Sequence, residues 1–226
     1  LASKGYTGTV NDMRAKLAAD NGLTVSGFQA AGGYIAFASS VSYVGYASQT
    51  TTLSLAPNID LSAQVPGIED GDLLLIMAMG DNAGSTGDPG ITGITTVTYL
   101  GRVAGTTGID SAAWYGTYSS SDGNIGLTNT SAFQGGAIMQ IVVMRGCTYA
   151  THVESSTNLS VASDPPAITS TSDAFVILMG MDDRTDLGIT APANYTLAGN
   201  VASGNAGVTA AAAYRIESLP GDDPGV

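Results

Sequence analysis

Two apolar runs, each held between acidic residues, stand out from a chain otherwise rich in small and polar side chains. The first lies in GDLLLIMAMGD, residues 71–81, and the second in DAFVILMGMD, residues 173–182. Both fall far short of the roughly 18 residues that a membrane helix needs, and their bounding Gly and Asp favour a buried strand over a core helix. Leu73, Leu75 and Met77 alternate with Leu74, Ile76 and Ala78, so both faces of the first run are apolar. A strand of that kind is central and covered on both sides.

The segments downstream of the two runs repeat as well. After the first come a Gly/Asp/Pro loop, GITGITTVTYLGRVAG and DSAAWYGTYSSSDGN; after the second come DDRTD, GITAPANYTLAGNVASG and VTAAAAYRIESLPGDDPG. Asp72 answers to Asp173, and in the segments that follow Tyr99 answers to Tyr195 and Tyr115 to Tyr214. The predicted unit is strand, acidic loop, strand, Gly turn, strand, and two such units are expected to face each other as halves of one sandwich. The first unit continues into residues 134–145, whereas their counterpart in the second would fall beyond Val226. Either the sequence continues, or another segment fills that interior slot, namely residues 23–40 or a strand donated by a neighbour.

Elsewhere the pattern predicts strands over residues 41–48, 51–55, 94–103, 111–118, 136–145 and 152–161, with loops over 57–70 and 82–90. One helix is expected, over residues 8–22, where Thr9 or Asn11 can cap, Val10, Met13 and Leu17 share a stripe and Gly22 can terminate. Such a short helix is marginal alone and needs a surface to lie on. Residues 23–59 carry no charge; Tyr34, Phe37, Tyr43 and Tyr46 there suit a subunit interface. Gly, Ser and Gln dilute this segment too heavily for a membrane span.

Composition agrees with an all-β fold: 30 Gly and 10 Tyr among 226 residues, with few long charged side chains. The net charge of −12 is unevenly placed. Residues 1–40 hold three bases and two acids, residues 41–226 four bases and seventeen acids. An acidic module repels phosphate and anionic membrane surfaces, which argues against nucleic acid or membrane as partner. Acid on loop tips also keeps a Gly-rich β-protein soluble. Cys147 is the single cysteine, so one chain offers no disulfide and no thiolate metal site. The chain begins at Leu1 without a signal-like segment, which suggests processing or an incomplete record.

Candidate chemistry is sparse. His152 is the only histidine, and neither a GxSxG elbow nor an HExxH pair is present, so no catalytic residue is assigned. GRVAGTTG, residues 101–108, lacks the GK[ST] ending of a phosphate loop and reads as a turn. Asp182, Asp183 and Asp186, helped by Asp81 and Asp88, could supply carboxylates to calcium, but the spacing is not that of an EF-hand and Arg184 intervenes, so a solvated acidic loop is the expectation. Met77, Met79, Met139, Met144, Met179 and Met181 fall in presumed strands as core fillers. Trp114 and Tyr115 point to opposite faces of a strand, so at most one could stack on a sugar, and packing is the expected role.

GDLLLIMAMGD, the Trp114–Tyr115 pair, QIVVMRG at residues 140–146 and the second DAFVILMG together resemble a family of β-sandwich modules of tailed-phage virion proteins and some bacterial surface proteins, over residues 41–226. Residues 8–22 are similar to the short helical attachment segments of such proteins. The expected fold is a two-sheet β-sandwich, jelly-roll or Ig-like, built from the repeat, with an attachment segment over residues 1–40 and the sandwich over residues 41–226. The resemblance implies a non-enzymatic structural protein of the virion, a capsid decoration or tail component, with no cofactor. Its expected partners are other virion proteins through residues 1–40 and further copies of itself. The alternative is a carbohydrate-binding adhesin that meets host-surface glycan.

Overall fold

The computed structural model describes residues 24–29, 34–38, 41–51, 56–81, 88–104, 109–128, 137–150, 169–170, 174–182, 190–203, 208–217 and 221–222. Its contacts divide the chain into two units, Leu1–Ser40 and Val41–Val226. In the first, β1 (Thr24–Gln29) and β2 (Tyr34–Ala38) pair as an antiparallel ribbon, with Phe28 opposite Ile35 and Val25 opposite Phe37. The helix expected over residues 8–22 lies outside the described residues.

The second unit runs β3 (Ser42–Thr51), β4 (Asn58–Ile59), a one-turn helix α1 (Leu61–Gln64), β5 (Leu73–Asp81), β6 (Gly90–Thr92), β7 (Thr96–Ala104), β8 (Ile109–Thr117), β9 (Ile125–Thr128), β10 (Ala137–Arg145), β11 (Thr169–Ser170), β12 (Ala174–Asp182), β13 (Thr196–Ser203), β14 (Val208–Glu217) and β15 (Gly221–Asp222). Antiparallel pairing gives a five-stranded sheet ordered β3-β10-β5-β8-β7 and three-stranded sheets ordered β12-β14-β13 and β4-β9-β6; β11 and β15 form a small pair. The architecture is an all-β sandwich.

Antiparallel sheets commonly leave one face wet, yet β5 and β10 are apolar on both. The cause is double cover. Leu74, Ile76, Ala78, Met139, Ile141 and Val143 pack against Ile59, Ile125 and Leu127 of the small sheet, against Leu61 of α1 and against Val65, which caps it. On the other face Met79 and Ile138 meet Ala210, while Val142 and Met144 meet Ala212, beside Ile177 and Met179 of β12. Each fully buried Leu or Ile here contributes about 1.5–3 kcal/mol of transfer free energy. The third layer, β4-β9-β6 with α1, occupies part of what the pattern assigned to loop over residues 57–70. Strands of two to four residues are too short to carry a period-2 signal, and α1 owes its start to Asp60, whose carboxylate accepts from the Ala63 amide at 3.0 Å.

The repeat is visible as topology. β5-β8-β7 and β12-β14-β13 share one strand order, and each breaks register at the same place, between Tyr99 and Gly101 in β7 and between Leu197 and Gly199 in β13. Matching rows across the strands gives Leu75, Tyr115, Thr98 in one half and Ile177, Tyr214, Thr196 in the other. Tyr115 and Tyr214 therefore correspond as expected, but Tyr195 lies just before β13 and Leu197 takes the place of Tyr99. Likewise Leu178, not Ile177, takes the place of Ile76. Counting from Asp72 to Asp173 is thus one residue short for this strand pair, and in a strand one residue is a change of face.

The slot expected in the second half corresponds to the far side of β12. In the first half β5 is flanked by β8 and β10; β12 is flanked by β14 and by no other strand among the described residues. β14, which ends at Glu217, is interior. Of residues 23–40, the described strands β1 and β2 pair with each other.

Candidate functional site

Gln140 is the polar residue in the middle of β10, between Met139 and Ile141, and it is fully buried. Its face of the strand looks towards the β12-β14-β13 sheet. Its Nε2 donates to the Ala211 carbonyl at 3.5 Å, across the gap between sheets, and its Oε1 accepts from the Tyr46 hydroxyl at 3.3 Å. Tyr46 in turn lies under Gly199, where a Cβ would come within 2.4 Å of the ring. Beside it, Tyr43 stacks on Tyr214 with centroids 4.3 Å apart and 10° between planes. Burial first, then the neighbouring Tyr43, push the Tyr46 phenol up to about 12 despite the Ser48 hydrogen bond. Burial also raises the Tyr43 phenol, followed by the effect of Tyr214. Two aromatic side chains and one amide thus hold the two large sheets in register.

A second cluster sits at the end of β10. The Arg145 guanidinium donates from Nε and Nη2 to the two Asp72 oxygens, each at 2.8 Å, and from Nη2 to the Gly67 carbonyl; Nη1 is 3.2 Å from Glu69. The Glu69 amide donates to Asp72 Oδ2 at 2.9 Å. Asp72 is 2% exposed. Burial alone would raise its carboxyl; the Arg145 hydrogen bonds, the Glu69 amide and the guanidinium charge more than reverse this and hold it below the usual carboxylate value. Bidentate pairing of this kind fixes geometry as well as energy. Asp72 is therefore a clamp for the loop after α1, not a solvated turn residue.

The remaining described bases are engaged in similar ways. Arg102 pairs with the fully buried Asp110 and lies 3.9 Å from Asp88; Arg215 lies 5.1 Å over the Tyr195 ring. Loop acids act as backbone acceptors too: Asp122 takes the Thr95 and Ser119 amides, and Asp70 takes the Ser120 amide.

Trp114 is 3% exposed and packs with the core beneath β5. Tyr115, on the opposite face, stacks on Tyr149 with centroids 4.1 Å apart. Met77, Met79, Met139, Met144 and Met179 all lie in the apolar clusters. The Cys147 thiol is half-buried and pushed up to about 11 by burial. His152, Asp183, Asp186 and residues 105–108 lie outside the described residues, as do the side chains of Asp81, Asp182 and Met181. Among the described residues no group of three metal-ligating side chains occurs, and no helix is long and apolar enough to cross a membrane. Sequence reasoning passed over Gln140 and the Asp72–Arg145 pair. A lone Gln inside AIMQIVVM was the available signal, since a polar group in a doubly buried strand must find a partner. The chain matches none of the protein-family models, curated proteins or solved structures with which it was compared.

Proposed function

We propose that this chain is a structural protein of a tailed-phage particle, a capsid decoration or tail component, that docks through residues 1–40 and presents an acidic β-sandwich outward. The observation that carries this reading is the contrast between the two units. Residues 1–40 hold a ribbon, β1-β2, with no charged residue in it, joined to a sandwich with seventeen acids against four bases. A two-stranded ribbon is marginally stable by itself in water, so it gains from a surface to lie on, and the acidic unit favours an outward, solvated position. Burying an uncharged ribbon against other particle proteins incurs no desolvation of ionised side chains within it. The likeness of GDLLLIMAMGD and QIVVMRG to virion modules supports the same reading, and repeated copies on the particle accord with it.

The test is composition of the particle. Purified particles should contain the chain in fixed stoichiometry with a shell or tail protein, and a glycan array probed with the same chain should stay blank. A specific glycan signal with no particle association would favour the adhesin instead. That reading has lost Trp114 as a stacking platform, because the indole is packed in the core.

A further inference from the structure

We infer that the stacked tyrosine pairs Tyr43–Tyr214 and Tyr115–Tyr149 are oxidative modification sites, at which a diffusible one-electron oxidant joins the two rings as dityrosine. The inference is independent of the particle assignment and rests on a feature present in both halves of the repeat. Tyr115 stands in β8 between Leu75 of β5 and Thr98 of β7, and Tyr214 stands in β14 between Ile177 of β12 and Thr196 of β13. Each of these corresponding tyrosines lies flat on a second tyrosine. The Tyr115 and Tyr149 centroids are 4.1 Å apart with 5° between planes, and those of Tyr43 and Tyr214 are 4.3 Å apart with 10°. The partners come from different places, Tyr43 from β3 and Tyr149 from the segment after β10, so the duplicated strands alone do not dictate the second ring. Other tyrosines meet different groups: Tyr46 bonds to Gln140, Tyr99 is tilted by 41° to Trp114 and Tyr195 lies under Arg215.

Coupling needs two phenoxyl radicals in contact. Each phenol gives one electron to the oxidant and one proton to water, which leaves unpaired density on the carbons ortho to oxygen. The two radicals combine through those carbons into one C–C bond; each coupled carbon then loses its hydrogen as a proton while its oxygen regains one. Per pair, two equivalents of oxidant take two electrons, water takes two protons, and the product is lighter by two hydrogens. At these separations ring carbons of one phenol touch those of the other, and the outer Tyr torsion is broad, so a small rotation brings ortho carbons together. All four residues are half-buried, which leaves the rings room to move from the stack to a twisted biaryl. The excess of acids draws a cationic oxidant to the surface. A Tyr43–Tyr214 link joins the five-stranded sheet to the β12-β14-β13 sheet and restricts the unfolded chain, as a disulfide does.

Brief illumination of the full chain with tris(bipyridine)ruthenium and limiting persulfate supplies such an oxidant and tests this. Single-chain species are then isolated under denaturing conditions, digested and mapped by mass spectrometry. Dityrosine fluorescence is expected, with cross-linked peptides that pair Tyr43 with Tyr214 and Tyr115 with Tyr149, and with a raised urea midpoint for the cross-linked chain. The same treatment in urea should scatter the links over the ten tyrosines. Tyr43→Phe combined with Tyr115→Phe keeps the rings and should reduce the folded chain's internal dityrosine to background. Four results overturn the inference: no dityrosine within single chains, links chiefly at other tyrosines or at only one of the two pairs, links no more selective in the folded chain than in urea, or a urea midpoint that is not raised. The mapping uses the native chain, so it stands even where the double variant folds poorly.

Discussion

Arg145 and Asp72 meet through two parallel hydrogen bonds of 2.8 Å, so the last residue of the most buried strand is tied to the residue that precedes the other central strand. The pair also fixes the loop between, since the same guanidinium holds the Gly67 carbonyl. Substituting Arg145→Met leaves the Asp72 carboxylate buried without its counter-charge. A clear loss of stability is expected, smaller than for a fully buried pair because Arg145 is partly exposed. Urea unfolding of the variant checks it, and a change within 0.5 kcal/mol would show that the clamp is dispensable.

The same pair predicts an acid limb. Asp72 is held below the usual carboxylate value of 3.8, so its stabilisation is fully present above that value and is lost as pH falls through the lowered value of the folded state. Melting temperature tracked downward from pH 5 should fall, and it should fall less steeply in Arg145→Met, whose Asp72 no longer gains from ionisation.

An alkaline limb comes from the interface of the two large sheets. Tyr46 is pushed from 10.0 up to about 12, so the folded state favours the neutral phenol. Its contribution is intact below pH 10 and is lost as pH rises from there towards 12. Stability of the native chain should decline over that interval, and the decline should be smaller in Tyr46→Phe.

Gly199 and Tyr46 give a packing test. A Cβ at position 199 would lie 2.4 Å from the Tyr46 ring carbons, so Gly199→Ala should cost about 1–3 kcal/mol by overpacking. Combining it with Tyr46→Leu should recover part of that loss, seen as a favourable coupling in a double-mutant cycle. Strict additivity would mean that the two sheets do not approach each other at this point.

The central strands were legible because their physics is local: eight apolar residues between acids can only be a buried element, and β5 and β12 lie where those runs lie. The duplicated strand order was legible for the same reason. Register was not. Asp72 and Asp173 align by sequence, yet the bulges at Gly101 and Gly199 fix the pairing, and they put Leu178 in the place of Ile76. The small layer was missed because β4, β6 and β9 exist through their partners rather than through any pattern of their own. Gln140 was readable in principle, as a polar residue in a strand with no wet face. Its partners Tyr46 and Ala211 are 94 and 71 residues away in sequence, and no local rule names them.

The docking role of residues 1–40 is the central claim, and deleting them tests it most directly. Residues 41–226 should melt cooperatively with a β-rich circular dichroism spectrum, while their recovery with purified particles, measured by quantitative mass spectrometry beside the full chain, drops to background. Recovery of the shortened chain at the full-length level, or its failure to fold, would contradict the division of labour between the ribbon-bearing unit and the sandwich.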